Sequence, residues 1–182
     1  MKRAKGFTII ELVVIIVIMG ILALIAIPGF SRWLPNYRLR AATRDLFSNI
    51  QHTKLTAIKR HRTCAITFNR NAGGTIDGYV VYVDTITNLE FDDPGDEVLA
   101  NVVFSERYDG VLFDTSKGGG DGIDDTIIDN DDNNPTIGFL SNGFSIGNDG
   151  NAARGSVYLK TNATGRERQV AVSAAGNITI IE

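Results

Sequence analysis

The residues that could do catalytic chemistry are few and stand apart from one another. The only two histidines, His52 and His61, are separated by nine positions, which is not the i, i+4 spacing of a helical metal pair. No Gly-x-Ser-x-Gly nucleophile motif occurs in the chain. Surface or capping roles are therefore expected for both histidines, and the sequence gives little support for an enzyme.

Cys64 is the only cysteine, so an intramolecular disulfide is excluded and a cysteine-based zinc site lacks ligands. It lies in the apolar run 63–66. Because a free cysteine commonly packs as a small hydrophobe, we predict a buried structural thiol.

An acidic, glycine-rich segment at residues 114–134 is the main candidate for metal binding. It holds seven aspartates. Flexible carboxylate loops suit a hard cation such as Ca²⁺, but the spacing is not that of an EF-hand. Two interpretations stay open, a calcium site and a solvated loop, and no other cofactor is expected. The candidate ligands are Asp121, Asp124 and Asp125, followed by Asp129, Asp131 and Asp132.

Charge is unevenly distributed along the chain, whose net charge is −3. Residues 32–70 hold nine Lys or Arg and a single acid, whereas residues 84–134 hold fifteen acids and two bases. The acidic balance argues against general affinity for nucleic acid. Such segregation can orient neighbours in an assembly.

The N-terminal segment of the chain has an unusual composition. A short basic leader, residues 1–6, precedes twenty uncharged and mostly apolar residues from Leu12 to Ser31. Twenty helical residues span about 30 Å, the thickness of a bilayer core. We therefore predict a single membrane-spanning helix at residues 7–30, with the leader in the cytoplasm and the C-terminal part on the far side.

The junction Lys5-Gly6-Phe7-Thr8-Ile9-Ile10-Glu11-Leu12 resembles the cleavage motif of type IV prepilins. An ordinary secretory signal places its small residue after the apolar core, whereas here Gly6 precedes it. The resemblance implies cleavage after Gly6 by a prepilin peptidase and N-methylation of Phe7. Cleavage would remove three bases and change the net charge from −3 to −6.

Glu11 is an acid inside an apolar helix, which costs about 2.5 to 3.5 kcal/mol on insertion scales and suggests a function. Its expected partner is the N-terminal amine of a neighbouring subunit, and the alternative is a position at the lipid headgroups. Gly20, Pro28 and Gly29 weaken the same helix, so a kink or local melting is expected between Gly20 and Gly29.

The pattern of the remaining chain predicts an amphipathic helix followed by strands. Residues 31–62 continue the helix with a core stripe, and residues 63–182 form a β-rich head with an acidic loop insertion at 84–135. The core stripe consists of Leu39, Ala42, Leu46, Ile50, Thr53 and Ala57. Strands are predicted at 63–69, 78–84, 98–104, 155–160, 168–173 and 177–181. The predicted fold class is α+β, with the long helix packed on antiparallel β-sheet.

This order, with the segments 155–160 and 169–176, resembles the GspH/FimT family of minor pilins. The resemblance implies a structural subunit of a type IV pilus or type II secretion pseudopilus, located in the inner membrane with a periplasmic head before it joins the filament. Expected partners are other pilins or pseudopilins, the prepilin peptidase and an inner-membrane assembly platform.

Some members of the FimT branch bind DNA through a Gly-Arg-x-Arg motif near the C-terminus. Gly165-Arg166-Glu167-Arg168 matches those letters but precedes a strand, and the aligned position reads Gly176-Asn177-Ile178-Thr179. A DNA-uptake role through Arg166 and Arg168 is therefore the alternative interpretation, and a membrane-anchored periplasmic enzyme is a third.

Overall fold

The computed structural model describes residues 7–71, 73–92 and 94–181, and for residues 25–32 it describes the backbone only. The chain divides into two compact units, Met1–Leu34 and Pro35–Glu182. Helix α1 spans Ile9–Arg60. Its backbone is helical through Gly20, Pro28 and Gly29, so the local melting expected there is not seen in the single chain.

Within the described residues, the second unit contains nine strands and a short helix, which follow the C-terminal part of α1. Helix α2 spans Phe104–Arg107, and a 3₁₀ turn covers Gly118–Gly120. The strands are β1 Cys64–Arg70, β2 Ile76–Val83, β3 Glu97–Val103, β4 Val111–Phe113, β5 Thr136–Phe139, β6 Ser145–Ile146, β7 Gly155–Thr161, β8 Glu167–Val172 and β9 Ile178–Ile181.

The strands form two antiparallel sheets. Sheet A has the order β3-β2-β1-β5-β6, and sheet B has the order β4-β7-β8-β9. The sequence predicted a helix on antiparallel sheet and six of these strands, and the structure confirms them within one or two residues. The division into two sheets was not predicted, because β4, β5 and β6 are too short to show a period of two.

The core of the head lies between α1 and both sheets. All six residues of the predicted helical stripe are buried, from Leu39 to Ala57. They meet alternate residues of the strands, such as Ile66 and Phe68 on β1 and Val170 on β8. Because side chains alternate across a strand, the other face of sheet A points away from α1.

That second face of sheet A is covered by the segment after β2. Leu89 is buried there against Ala65, Val80 and Tyr82, with Phe91 packed alongside. Gly138 on β5 allows the close approach, since a Cβ at this position would lie 2.5 Å from a methyl carbon of Leu89. The segment 84–135, expected as a loop insertion, thus contributes β3, α2, β4 and buried apolar side chains to the head.

Candidate functional site

The start of α1 is built around Thr8. The Glu11 backbone N–H donates to Thr8 Oγ1 at 3.3 Å, and the Leu12 N–H donates to the Thr8 carbonyl at 3.2 Å. Thr8 and Glu11 have the Thr-x-x-Glu spacing of a capping box, and an acid in the first turn is also favoured by the helix dipole. The spacing is visible in the sequence, but the prediction considered only pairing and headgroup roles for Glu11.

The described apolar side chains at the start of α1 are exposed to solvent. Phe7 is 72% exposed, and every large apolar side chain described between Ile9 and Leu24 is exposed as well. Apolar surface of this extent marks an interaction site rather than a stable solvated face. Within the described residues, no helix reaches the length and apolarity needed to cross a bilayer. Gly6 lies outside the described residues.

The basic residues of the head's helix divide into two groups. Arg38 is paired with Asp109 at 2.7 Å, Arg60 with Glu97, and Lys54 donates to the Gly176 carbonyl. These contacts tie the helix to the head. Three others on the helix are exposed and make no ion pair among the described residues: Arg40, Arg44 and Lys59. Arg62, which follows the end of the helix, is exposed as well.

The two histidines lie apart, His52 on α1 and His61 directly after its last residue. His52 is an exposed residue of α1. His61 follows the last helical residue with φ of 53°, and the Arg62 N–H donates to the Ala57 carbonyl at 3.3 Å. This is the Schellman arrangement of a helix C-terminus, so His61 has the capping role expected for it.

Cys64 is fully buried at the start of β1, which confirms the predicted structural thiol. Burial raises the pKa of the Cys64 thiol to about 11. Since the thiolate is the reactive form, the side chain is chemically inert at neutral pH.

Several of the aspartates proposed as calcium ligands make contacts within the protein. Asp121 Oδ2 accepts from Arg70 at 2.8 Å, and its Oδ1 accepts from the Ile123 N–H. Asp124 accepts from the N–H and hydroxyl of Thr126, and Asp125 lies over Gly119. Within the described part of the chain, no three His, Cys, Asp or Glu side chains are placed to hold a metal ion. The calcium site stays a prediction, which calorimetry showing no uptake and an unchanged Tm would refute.

Arg70 is the residue of this region that sequence reasoning missed. Its guanidinium contacts Asp121 at 2.8 Å and Asp129 at 3.4 Å, and its Nε donates to the Asn133 carbonyl at 2.8 Å. It therefore occupies the cationic position between two of the aspartates. No local pattern indicates this role, because 51 positions separate Arg70 from Asp121.

Asp114 is the one fully buried carboxylate of the acidic segment. Burial by itself would raise its pKa, but hydrogen bonds from Lys160 Nζ at 2.8 Å and from Ser116 outweigh burial and lower the pKa to about 2. Lys160 lies on β7 and Asp114 directly follows β4. This buried ion pair fixes the entry to the acidic segment against sheet B.

Arg166 and Arg168 flank the start of β8. Gly165 adopts a φ of 65° in the turn after β7. Because this left-handed conformation favours glycine, the turn itself accounts for the glycine of the Gly-Arg-x-Arg sequence, and ligand binding is not needed to explain it. Arg40 of α1 joins both arginines around one cavity of about 210 Å³. Glu167 forms an ion pair with Lys117, so its charge is already neutralised.

Two models of known protein families match the sequence of this chain. The sequence model of the family described as type II transport protein GspH matches residues 42–176, and that of the prokaryotic N-terminal methylation motif matches residues 1–27. The chain belongs to the GspH family.

A curated relative of this GspH-family chain is the pilin-like protein PilA1 of Thermus thermophilus. The two are 34% identical over 115 residues, which cover 62% of this chain and 69% of the relative. Among solved structures, the type IV minor pilin FimU of Pseudomonas aeruginosa is a neighbour at 13% identity and a TM-score of 0.48, covering 82% of this chain and 92% of FimU.

The GspH-family chain is therefore a minor pilin or pseudopilin, a structural subunit of a type IV pilus or a type II secretion system. It has the predicted α+β pilin fold, with a long N-terminal helix and antiparallel sheets. The family consists of structural subunits and not of enzymes. Membership implies assembly with other pilins and processing by a prepilin peptidase.

Proposed function

We propose that residues 7–30 insert the chain once into the inner membrane, with the leader in the cytoplasm and the head in the periplasm, and that the subunit then moves into a filament. The observation that carries the proposal is the uncovered apolar surface from Phe7 to Leu24. Lipid covers it before assembly, and the helices of neighbouring subunits cover it afterwards.

Leader removal is the step that starts assembly. Cleavage between Gly6 and Phe7 creates a positive α-amine one residue before the Thr8 cap, and N-methylation of Phe7 keeps that charge. The Glu11 carboxylate, in the first turn of α1, then neutralises the amine of a neighbouring subunit. Gly20, Pro28 and Gly29 permit α1 to unwind when the helices pack in the filament.

Mass spectrometry of the N-terminus tests the processing step. Chains from the native host should begin at methylated Phe7. Gly6→Val should leave the leader attached and abolish entry into filaments, whereas Ala4→Val, the control with a similar change in the same leader, should be cut and assembled normally. An uncut Gly6→Val chain that enters filaments would contradict the proposal.

The choice between pilus and secretion pseudopilus depends on the assembly platform that accepts the subunit. Deleting the pilus platform or the secretion platform in the host and following the cleaved chain into sheared filaments separates the two. The proposed assembly role predicts loss of incorporation in one of the two deletion strains. Incorporation that survives both deletions would contradict it.

DNA binding is the second candidate, and the cavity shared by Arg40, Arg166 and Arg168 is the observation that favours it. Three arginines that line one cavity suit a phosphate, because a guanidinium can bind phosphate oxygens through paired N–H donors. A mobility-shift assay at low salt should then show that Arg166→Ala with Arg168→Ala weakens duplex binding, and that Arg154→Ala, an exposed arginine elsewhere, does not. Absence of duplex binding by the wild type would exclude this candidate.

A further inference from the structure

One cavity of the head lies where the first residues of the head's helix meet the turn between β7 and β8. It has a volume of about 210 Å³, and we call it the arginine cavity because Arg40, Arg166 and Arg168 line it. The Thr164 hydroxyl donates to Asn36 Oδ1 at 2.8 Å. This hydrogen bond fastens the turn to the helix and so holds arginines from two distant segments around one space.

The arginine cavity has a positive character. Arg40 and Arg166 are exposed, and neither forms an ion pair among the described residues. Glu167, the acid among the lining residues, pairs with Lys117. Because a planar guanidinium binds phosphate oxygens through paired N–H donors, the chemistry of the cavity suits a single phosphate group.

The position of the arginine cavity along the chain relates it to the membrane. Nine residues separate the segment 7–30, proposed above to lie in the bilayer, from Arg40. Trp33 and Tyr37 belong to this interval, and each is 56% exposed. Exposed tryptophan and tyrosine beside an apolar segment are typical of the headgroup layer of a membrane. The cavity therefore follows directly after the residues expected at the headgroups.

A lipid headgroup fits these observations better than a nucleic acid strand. Residues 35–182 carry fourteen Lys or Arg against twenty acids, whereas duplex binding draws its affinity from several phosphate contacts made together. A headgroup requires one phosphate contact. Because the chain is tethered to the bilayer, the cavity meets headgroups at a high effective concentration, and a contact of modest affinity suffices.

We propose that the arginine cavity binds the phosphate of an anionic phospholipid of the phosphatidylglycerol type while the subunit is in the membrane. The proposal rests on the membrane insertion proposed above, and it adds a ligand class and the residues that bind it. Binding holds the turn between β7 and β8 at the headgroup layer until the subunit leaves the bilayer for the filament.

The test uses Trp33, the only tryptophan of the chain, as a local probe. The full-length chain is placed in vesicles of phosphatidylcholine with a minority of phosphatidylglycerol, and one lipid at a time carries bromine on its acyl chains. Bromine quenches the fluorescence of a nearby tryptophan, so the two series report how often each lipid lies beside Trp33. At low salt we expect about a fivefold preference for phosphatidylglycerol, since one arginine near an anionic surface contributes about that factor.

Two pairs of substitutions with the same change in net charge separate the cavity from general attraction. Arg40→Gln with Arg166→Gln should reduce the preference to near equality of the two lipids. Arg44→Gln with Arg154→Gln is the matched control, because these exposed arginines do not line the cavity, and it should keep most of the preference. The wild-type preference should also persist when chloride is replaced by inorganic phosphate at equal ionic strength, because the headgroup is tethered and the free ion is not.

Each alternative gives a different result. An equal loss of preference in both pairs of variants would indicate general attraction and overturn the lipid site. Loss of preference in inorganic phosphate alone would assign the cavity to a free phosphate, and loss on addition of duplex DNA would assign it to nucleic acid; either result would overturn the proposal. Quenching by both lipids without preference would overturn the lipid site and leave membrane insertion standing, whereas quenching by neither lipid would contradict insertion as well.

Discussion

At the scale of single residues, Glu11 combines an observed contact at the start of α1 with the proposed role of pairing with an amine. Its backbone N–H is satisfied by the Thr8 hydroxyl, so the residue belongs to the helix cap. Its carboxylate lies in the first turn, where the helix dipole favours an anion. The same carboxylate is close to the end of the chain that cleavage after Gly6 would create, which makes charge the property to test.

We expect Glu11→Gln to be cleaved and methylated but to enter filaments poorly. Glutamine preserves the size and the capping-box chemistry of the side chain, yet it cannot neutralise an amine. Thr8→Val removes the cap hydroxyl and retains the charge, and it should assemble with only a small loss. Quantifying both variants in sheared filaments checks this, and normal incorporation of Glu11→Gln would leave Glu11 as a cap alone.

The Asp114–Lys160 pair predicts a pH dependence of stability. Lys160→Met leaves a buried carboxylate without its cation and should lower the free energy of unfolding by about 1 to 3 kcal/mol at neutral pH. The pKa of Asp114 is lowered to about 2 in the fold, against about 3.9 when unfolded. The stabilisation is therefore complete above pH 4 and is lost as the pH falls towards 2.

Thermal unfolding of the wild type and Lys160→Met between about pH 7 and pH 2 measures this effect, and the gap in stability should narrow below about pH 4. Lys117→Met removes the exposed pair with Glu167 and should change stability by less than about 1 kcal/mol at any pH. A gap for Lys160→Met that does not change with pH would show that packing, not charge, explains the loss.

At the scale of elements, the junction between α1 and β1 is set by one left-handed residue. His61 has a φ of 53°, a backbone conformation that costs free energy in a residue with a Cβ. The turn is nevertheless fixed by the hydrogen bond from Arg62 to Ala57 and by the burial of Cys64 directly after it. Local strain is thus maintained by the packing of β1.

His61→Gly should raise the free energy of unfolding by about 0.5 to 1 kcal/mol, because glycine adopts the left-handed conformation without strain. The same change at His52, in the exposed middle of α1, should instead lower it by about 1 kcal/mol. Chemical denaturation of the two variants checks the contrast. Destabilisation of similar size at both positions would refute the capping role of His61.

Arg70 has a comparable position among the elements of the acidic segment. It closes β1 and contacts two aspartates and a backbone carbonyl of residues 121–133. Its planar guanidinium can serve several acceptors at once, which a lysine ammonium does less well. Arg70 therefore links the end of β1 to the acidic segment.

At the scale of the whole molecule, the two units have opposite surface properties. The described side chains of residues 7–24 expose apolar surface, whereas residues 35–182 contain the complete core of the head. The first unit therefore offers apolar surface, whereas the head keeps most of its large apolar side chains in its own core.

Residues 35–182 should fold alone and unfold cooperatively, because every member of the main core cluster lies between Leu39 and Ile178. Removing the apolar part of α1 should also abolish the need for detergent. Circular dichroism during heating, with size-exclusion chromatography, measures both properties. A truncated chain that aggregates, or melts without a cooperative transition, would show that the head depends on the first unit.

The sequence by itself determined the features that depend on neighbours along the chain. The resemblance of Gly6–Leu12 to a prepilin junction, the apolar run with Glu11, and the buried stripe of α1 are local patterns of residue type and spacing. The six longer strands belong to the same class, since a period of two over several residues is visible without knowledge of the partner strand.

Only the tertiary structure decided which distant residues meet. Arg70 with Asp121, Lys160 with Asp114, and Arg40 with Arg166 are pairs or clusters across segments that share no local pattern. The short strands are defined by their pairing: β4 pairs with β7, β5 pairs with β1, and β6 pairs with β5.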